Sequence, residues 1–537
     1  MSRSVLLFGS ALLLGALSFG PHLDAQSRSC TALEKFAASG TTIERAEDVP
    51  AGSAAATMRQ APPFLANLQI PAFCEVRGII HARRGADGAS YAINFELRLP
   101  ASWNGKFLFQ GGGGLDGVVQ PAIGFAGAGP PALARGYAVV STDGGHQGAT
   151  NTAFGREQQA RLDYAYAAIG TVTQVAKAMM VAYYGKPEQH SYFVGCSNGG
   201  REAMIAVQRY PLDFDGAVAG DPGFDLSHAA IGEAWDSEAF LSIAPHGADG
   251  QPILSEAFSN ADLKLVSDAV LNKCDRLDGL ADGEVNNIRA CKFDPAVLTC
   301  HGAKTAACLS RKQVDVLQRV FNGAHDSAGH PIYASWPYDA GIAGPDWRNW
   351  KLGTSSTSAS NAVNATMGSG ALKDYFVHPY IAGLDPLHVD FDTISGQVQA
   401  THAINDAVST DLGTFAARGG RLVIYEGQSD PVFSANDLIA YYDRFAQDSG
   451  GMQKAQSVAR LFLVPGMNHC QGGPSTDRFD SLTALEQWVE KDQAPASISA
   501  SGKAFPGRTR PLCPYPAYAA YKGSGDPQEA SSFSCVQ

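Results

Sequence analysis

Tyr192-Phe193-Val194-Gly195-Cys196-Ser197-Asn198-Gly199-Gly200-Arg201-Glu202-Ala203-Met204 is the stretch on which the reading of this chain turns. An apolar run of strand character enters a turn of small residues, and a helical start follows. A serine inside Gly-x-Ser-x-Gly in that setting has the form of a nucleophile elbow, where glycines let a strained backbone lift a hydroxyl above a sheet. In a chain with 58 glycines in 537 residues the turn alone is a common pattern. Its partners therefore carry the argument.

Two later stretches supply them. Arg421-Leu422-Val423-Ile424-Tyr425 reads as a buried strand running into Glu426-Gly427-Gln428-Ser429-Asp430. Arg460-Leu461-Phe462-Leu463-Val464 reads as the next strand, running into Pro465-Gly466-Met467-Asn468-His469-Cys470. Asp430 and His469 both follow strand C-termini, where α/β sheets present their catalytic loops. The order Ser…Asp…His is that of α/β-hydrolases. Ser197 is then the nucleophile, His469 its general base, and Asp430 the group that fixes the imidazole tautomer. One cysteine precedes Ser197 and another follows His469. A Cys196–Cys470 bond would hold those Cα atoms roughly 4.4–6.8 Å apart and bring base to nucleophile.

The composition agrees with an enzyme of this kind. A hydrophobic fraction of 45% supports a large core, and 537 residues exceed one ordinary domain, so a core plus an insertion is expected. The net charge of −12 argues against nucleic acid or an anionic membrane as partner. Arg3, an apolar run from Val5 to about Leu17 and the ending Leu23-Asp24-Ala25 read as a signal peptide over residues 1–26. No second apolar run of spanning length follows, so the expectation is a secreted or periplasmic protein without a membrane anchor. Ten cysteines in an exported chain allow up to five disulfides. Proximity suggests Cys30–Cys74, Cys274–Cys291, Cys300–Cys308 and Cys513–Cys535, which leaves Cys196 and Cys470 for each other.

Two further stretches bear on chemistry. Phe107-Leu108-Phe109-Gln110 reads as a strand running into Gly111-Gly112-Gly113-Gly114. Such a glycine run can bring a backbone N–H to a developing oxyanion, with a second donor from Asn198. Between Cys274 and Cys291, Asp275-Arg276-Leu277-Asp278-Gly279-Leu280-Ala281-Asp282-Gly283-Glu284 spaces three aspartates around turn glycines. That loop reads equally as a site for a hard cation with oxygen ligands and as an acidic turn without metal.

Taken together, Cys196-Ser197, Asp430 and His469-Cys470 resemble the signature of the tannase and feruloyl esterase family, which includes the hydrolase of mono(2-hydroxyethyl) terephthalate. Trp103-Asn104-Gly105-Lys106-Phe107, Thr142-Asp143-Gly144-Gly145-His146 and Arg510-Pro511-Leu512-Cys513-Pro514-Tyr515-Pro516 add to the resemblance, which runs from about Cys30 to Cys535. It implies an α/β-hydrolase core built from residues 27–223 and 411–537, with a large inserted lid domain over 224–410. It implies that all ten cysteines pair as proximity suggests, and that Gly114 is the first oxyanion donor. It also implies a structural Ca²⁺ held by the side chains of Asp275, Asp278 and Asp282 and the carbonyls of Leu280 and Glu284.

For the substrate, the resemblance assigns an aromatic wall to Trp350 and a second ring contact to Phe433. An arginine that grips the free carboxylate in the terephthalate-monoester hydrolase is absent here, and Asn364 falls near its place. Lys351 could substitute as a cation, its direction being unreadable from sequence. The expected function is a secreted serine carboxylesterase acting on small-molecule esters of aromatic, phenolic acids such as gallates or ferulates. Hydrolysis of a terephthalate monoester is the alternative, and a catalytically silent member that binds aromatic ligands is a third reading.

Overall fold

In the strands that carry the site, successive residues divide between two cores. Phe107, Phe109, Phe193, Ala217, Ala219 and Ile424 enter one apolar cluster. Their neighbours Leu108, Tyr192, Val194, Val218, Val423 and Phe462 enter another. A strand with period-two side chains can be apolar at every position only when both sheet faces are covered. The computed structural model, which describes residues 29–57 and 67–537, has that architecture.

The main sheet has nine strands: β1 (Thr41–Val49), β2 (Phe73–Arg84), β3 (Ser90–Pro100), β4 (Lys106–Gln110), β5 (Ala138–Thr142), β6 (His190–Cys196), β7 (Gly216–Gly220), β8 (Arg421–Gly427) and β9 (Ala459–Val464). Their spatial order is β1-β2-β3-β5-β4-β6-β7-β8-β9. The first three strands and β5 pair antiparallel. From β5 through β4 to β9 every pairing is parallel. Helices α1 (Ala168–Tyr184) and α2 (Asn198–Arg209) cover one face. Helix α5 (Ser481–Lys491) covers the other with Leu482, Leu485 and Trp488.

Between β7 and β8 the chain leaves through α3 (Leu226–Leu241) and returns through α4 (Ile394–Asn405), contributing no strand to this sheet. The excursion has its own apolar core, in which Phe240, Phe258, Val266, Leu317 and Trp347 pack with Val432 and Phe433 from the loop after β8. The two crossings are tied together. His228 Nδ1 lies 2.7 Å from Asp225 Oδ1, and His402 Nδ1 lies 2.8 Å from Asp406 Oδ2 and 3.4 Å from Asp225 Oδ1. Hydrogen bonds to Asp225 and Asp406 push the His402 imidazole up to about 10, so it is a cation at neutral pH between two carboxylates.

Five disulfides join Cys30–Cys74, Cys196–Cys470, Cys274–Cys291, Cys300–Cys308 and Cys513–Cys535. This is the pairing expected from proximity and from the family resemblance. The proposed signal peptide, residues 1–26, lies outside the described residues. Among the described residues no helix is long and apolar enough to cross a membrane.

Candidate active site

Ser197 joins the end of β6 to the start of α2 with φ of 66°, a left-handed backbone that a serine rarely adopts. The glycines around it exist for close approach. A Cβ on Gly199 would stand 2.6 Å from the Gly112 carbonyl oxygen, so the elbow and the glycine loop after β4 pack backbone against backbone.

The three candidate residues meet. Ser197 Oγ lies 2.7 Å from His469 Nε2, and His469 Nδ1 lies 2.6 Å from Asp430 Oδ2. The other Asp430 oxygen accepts from the N–H groups of Val432, at 2.6 Å, and Phe433, at 3.0 Å. Asp430 is therefore fixed by its own turn and offers one oxygen to the histidine. The Cys196–Cys470 bond holds its Cα atoms 6.0 Å apart, one residue from Ser197 and His469. Cys470 also has a positive φ, 64°.

Behind this set sit carboxyls that no motif in the sequence singles out. Asp221, at the end of β7, accepts from Gly427 N–H at 2.7 Å and touches Cys196 Sγ at 3.5 Å. Burial, and then the Asp430 charge, drive Asp221 well above the usual carboxylate range, so it stands protonated beside the triad aspartate. Asp339, from the excursion, accepts from Ser429 Oγ at 2.9 Å and Gly466 N–H at 2.7 Å. It thereby links the loops that carry Asp430 and His469.

The glycine loop is held as tightly. Gly112 N–H donates to Glu202 at 2.7 Å and Gly113 N–H to Asp116 at 3.1 Å. Burial, reinforced by the Glu202 charge, keeps Asp116 protonated. His146, from the Thr142–His146 motif, donates Nε2–H to the Leu115 carbonyl at 2.7 Å and stacks on Phe154 with centroids 3.7 Å apart. Burial lowers that imidazole to about 4, so it is neutral. What this framework leaves over is the N–H of Gly114 and that of Asn198, neither of which has an acceptor among the described residues. Asn198 opens α2, where N–H groups point outward unpaired.

A pocket opens over Ser197, lined by Gly114, Leu226, Trp350, Met367, Phe376 and Phe433 among others. Trp350 and Phe433 both meet the His469 ring edge-on, with centroids 5.2 and 5.4 Å away. Both rings that the resemblance assigns to the substrate thus line the pocket beside the catalytic histidine. Lys351 does not reach it as a free cation: it is buried against Asp236 and lies 3.8 Å over the Trp336 ring. Asn364 is also buried, with both side-chain polar atoms unpartnered.

The acidic loop lies elsewhere, under the Cys274–Cys291 bond. Asp278 is buried and is pushed up to about 6 by burial and by the charges of Asp282 and Asp275. The carbonyls of Leu280 and Glu284 accept no hydrogen bond from a described residue. These oxygen donors are of the kind a hard cation takes, but no three carboxylates of the loop bring an oxygen each within 4.8 Å of one another. One feature departs from a purely anionic cage, since Asp282 turns its carboxylate to Arg510.

A mixed sheet that presents Ser197 after β6, Asp430 after β8 and His469 after β9 is the α/β-hydrolase fold, and its triad is that of a serine-dependent carboxylic ester hydrolase. Residues 74–536 match the family model described as tannase and feruloyl esterase, and the chain belongs to that family. The mono(2-hydroxyethyl) terephthalate hydrolase of Piscinibacter sakaiensis is 45% identical over 534 residues, covering 90% of this chain and 88% of that one. The crystal structure of feruloyl esterase B from Aspergillus oryzae superposes with a TM-score of 0.78 at 25% identity, covering 94% of this chain and 99% of the other. Tannin acyl hydrolase from Aspergillus niger shares the fold, with a TM-score of 0.71 at 22% identity over 96% and 94% of the two chains.

Proposed function

We propose that this enzyme is exported and hydrolyses esters of aromatic, phenolic carboxylic acids through an acyl-enzyme on Ser197. The observation that carries the reading is the hydrogen-bonded Ser197–His469–Asp430 line beneath a pocket walled by Trp350 and Phe433. As Ser197 Oγ bonds to the ester carbonyl carbon, His469 Nε2 takes its proton. Asp430 stays ionised and stabilises the imidazolium. The carbonyl oxygen gains negative charge and is received by the N–H groups of Gly114 and Asn198. Collapse expels the alcohol, which leaves with the proton from His469. A water then bonds through its oxygen to the acyl carbon as His469 takes one of its protons, and collapse breaks the bond to Ser197 Oγ, which recovers that proton from His469 as the acid leaves.

The excursion between β7 and β8 acts as the lid and sets acyl specificity, because Trp350, Met367 and Phe376 reach the pocket from it. Five disulfides support an oxidising compartment outside the cytoplasm. The 45% identical relative favours a second reading, hydrolysis of a terephthalate monoester. The pairing of Lys351 with Asp236 weighs against it. Purified protein assayed on methyl gallate, methyl ferulate and a terephthalate monoester decides between them. Turnover of a phenolic ester above the monoester supports the first reading, and turnover of neither class rejects both.

A calcium ion at Asp275, Asp278, Asp282 and the Leu280 and Glu284 carbonyls would be structural, neutralising the loop's repelling carboxylates far in function from Ser197. Chelation is then expected to lower the melting temperature, since an ion bound only by the folded chain stabilises it by linkage. Asp278→Ala should abolish that sensitivity. A melting curve unmoved by chelator, with no metal found by elemental analysis, would leave the loop as an acidic turn.

A further inference from the structure

The pocket over Ser197 contains one carboxyl that ester hydrolysis does not use. Glu233 lies on α3 and is only 6% exposed, yet it lines the same pocket as Ser197, Asn198 and Trp350. It is the one ionisable side chain among the described residues lining that pocket, and no described residue hydrogen-bonds it. Its carboxyl occupies the space beside Gly368, where a Cβ would run into Oε2. A glycine at 368 is thus what leaves room for it.

The surroundings define its chemistry. Burial pushes Glu233 up to about 8, and the charges of Asp236 and Asp430 push in the same direction. Lys351 opposes them but is already bound to Asp236. At neutral pH Glu233 is therefore an uncharged carboxylic acid, offering one O–H donor and a carbonyl acceptor to whatever fills an otherwise apolar pocket. A buried polar group left without a partner is costly, and a ligand that satisfies it gains accordingly.

Resting on the proposed ester hydrolysis, we propose that Glu233 is a specificity-determining residue that hydrogen-bonds an uncharged ring hydroxyl on the acyl group and disfavours acyl groups bearing a free carboxylate. A phenolic hydroxyl can donate to the Glu233 carbonyl and accept from its O–H, with no charge buried. A substrate carboxylate at the same place would add a negative charge near Asp236 and Asp430, with no cation among the described residues lining the pocket to receive it.

The test uses matched esters: methyl 4-hydroxycinnamate against methyl cinnamate, methyl 4-hydroxybenzoate against methyl benzoate, and monomethyl terephthalate. The native enzyme is expected to favour the hydroxylated member of a pair by about tenfold or more in kcat/KM, because a site built for a hydroxyl discriminates against its absence. It should also favour methyl 4-hydroxybenzoate over monomethyl terephthalate. In Glu233→Leu the hydroxyl preference should fall to about one, mainly through KM, whereas Glu233→Gln, which keeps a donor and an acceptor, should retain part of it. Gly368→Ala leaves Glu233 in the chain but displaces its carboxyl, and should lose the same preference. Each ratio is internal to one variant, so general loss of activity does not mimic the result. Hydroxyl preference that survives in folded Glu233→Leu, or its absence in a native enzyme that turns over both esters, overturns the inference. A native enzyme inactive on all five esters overturns the proposed function instead.

Discussion

Replacement of Ser197 by alanine is expected to lower kcat by roughly six orders of magnitude, with His469→Ala nearly as severe. The size follows from geometry. Ser197 Oγ is 2.7 Å from His469 Nε2, and no other hydroxyl is hydrogen-bonded to that nitrogen among the described residues. Neither group has a substitute. Because the two act in one proton transfer, the double mutant should be little worse than either single mutant. Asp430→Asn should cost about four orders of magnitude by holding the wrong tautomer. Binding of the product acid should change little in all of them, since the pocket walls are untouched. Ester turnover near the native rate in any folded variant would reject that residue's role.

The second large effect is expected from removing the bond beside the triad. In Cys196→Ser/Cys470→Ser the nucleophile, base and oxyanion donors remain chemically intact. The change lies in what positions them. Both Ser197 and Cys470 have positive φ, conformations that persist only where the surroundings impose them. The Cys196 sulfur also packs on Asp221, whose other oxygen holds Gly427 in the turn leading to Asp430. Releasing the bond frees both sides of a 2.7 Å proton-transfer distance, and misplacement on the scale of 1 Å can cost about a hundredfold in rate. A loss of kcat near that size is expected, with a stability loss of at most about 5 kcal/mol from the long loop it closes. Breaking Cys513–Cys535, which ties the C-terminal hairpin to the segment before it, should reduce stability with far less effect on kcat. Equal losses of kcat in the two folded mutants would show that the first bond stabilises without positioning.

The residues that perform covalent chemistry were legible in sequence because their constraints are local. An elbow needs small residues beside the serine, and strand ends need apolar runs before the aspartate and histidine. The aromatic rings at 350 and 433 were legible only through resemblance. The supporting carboxyls were not legible at all. Asp116, Glu202 and Asp221 matter because tertiary packing brings them beneath turns that are distant in sequence. Glu233 sits mid-helix with no motif around it, and its environment depends on Gly368, far along the chain. Lys351 shows the converse. Its sequence position allowed a role as a substrate-gripping cation, and burial against Asp236 removes it from that role. The antiparallel strands β1–β3 are likewise illegible from the catalytic stretches, which do not refer to them.

The bond between Cys196 and Cys470 spans 274 positions, and every residue of the excursion between β7 and β8 lies inside the ring it closes. A protease that cuts the backbone once anywhere in that ring opens it without parting the pieces, because the sulfurs still join the serine-bearing half to the histidine-bearing half. Nicked enzyme would run as one species on a non-reducing gel and as two after reduction. Cleavage anywhere in the excursion thus leaves the two halves of the active site covalently joined.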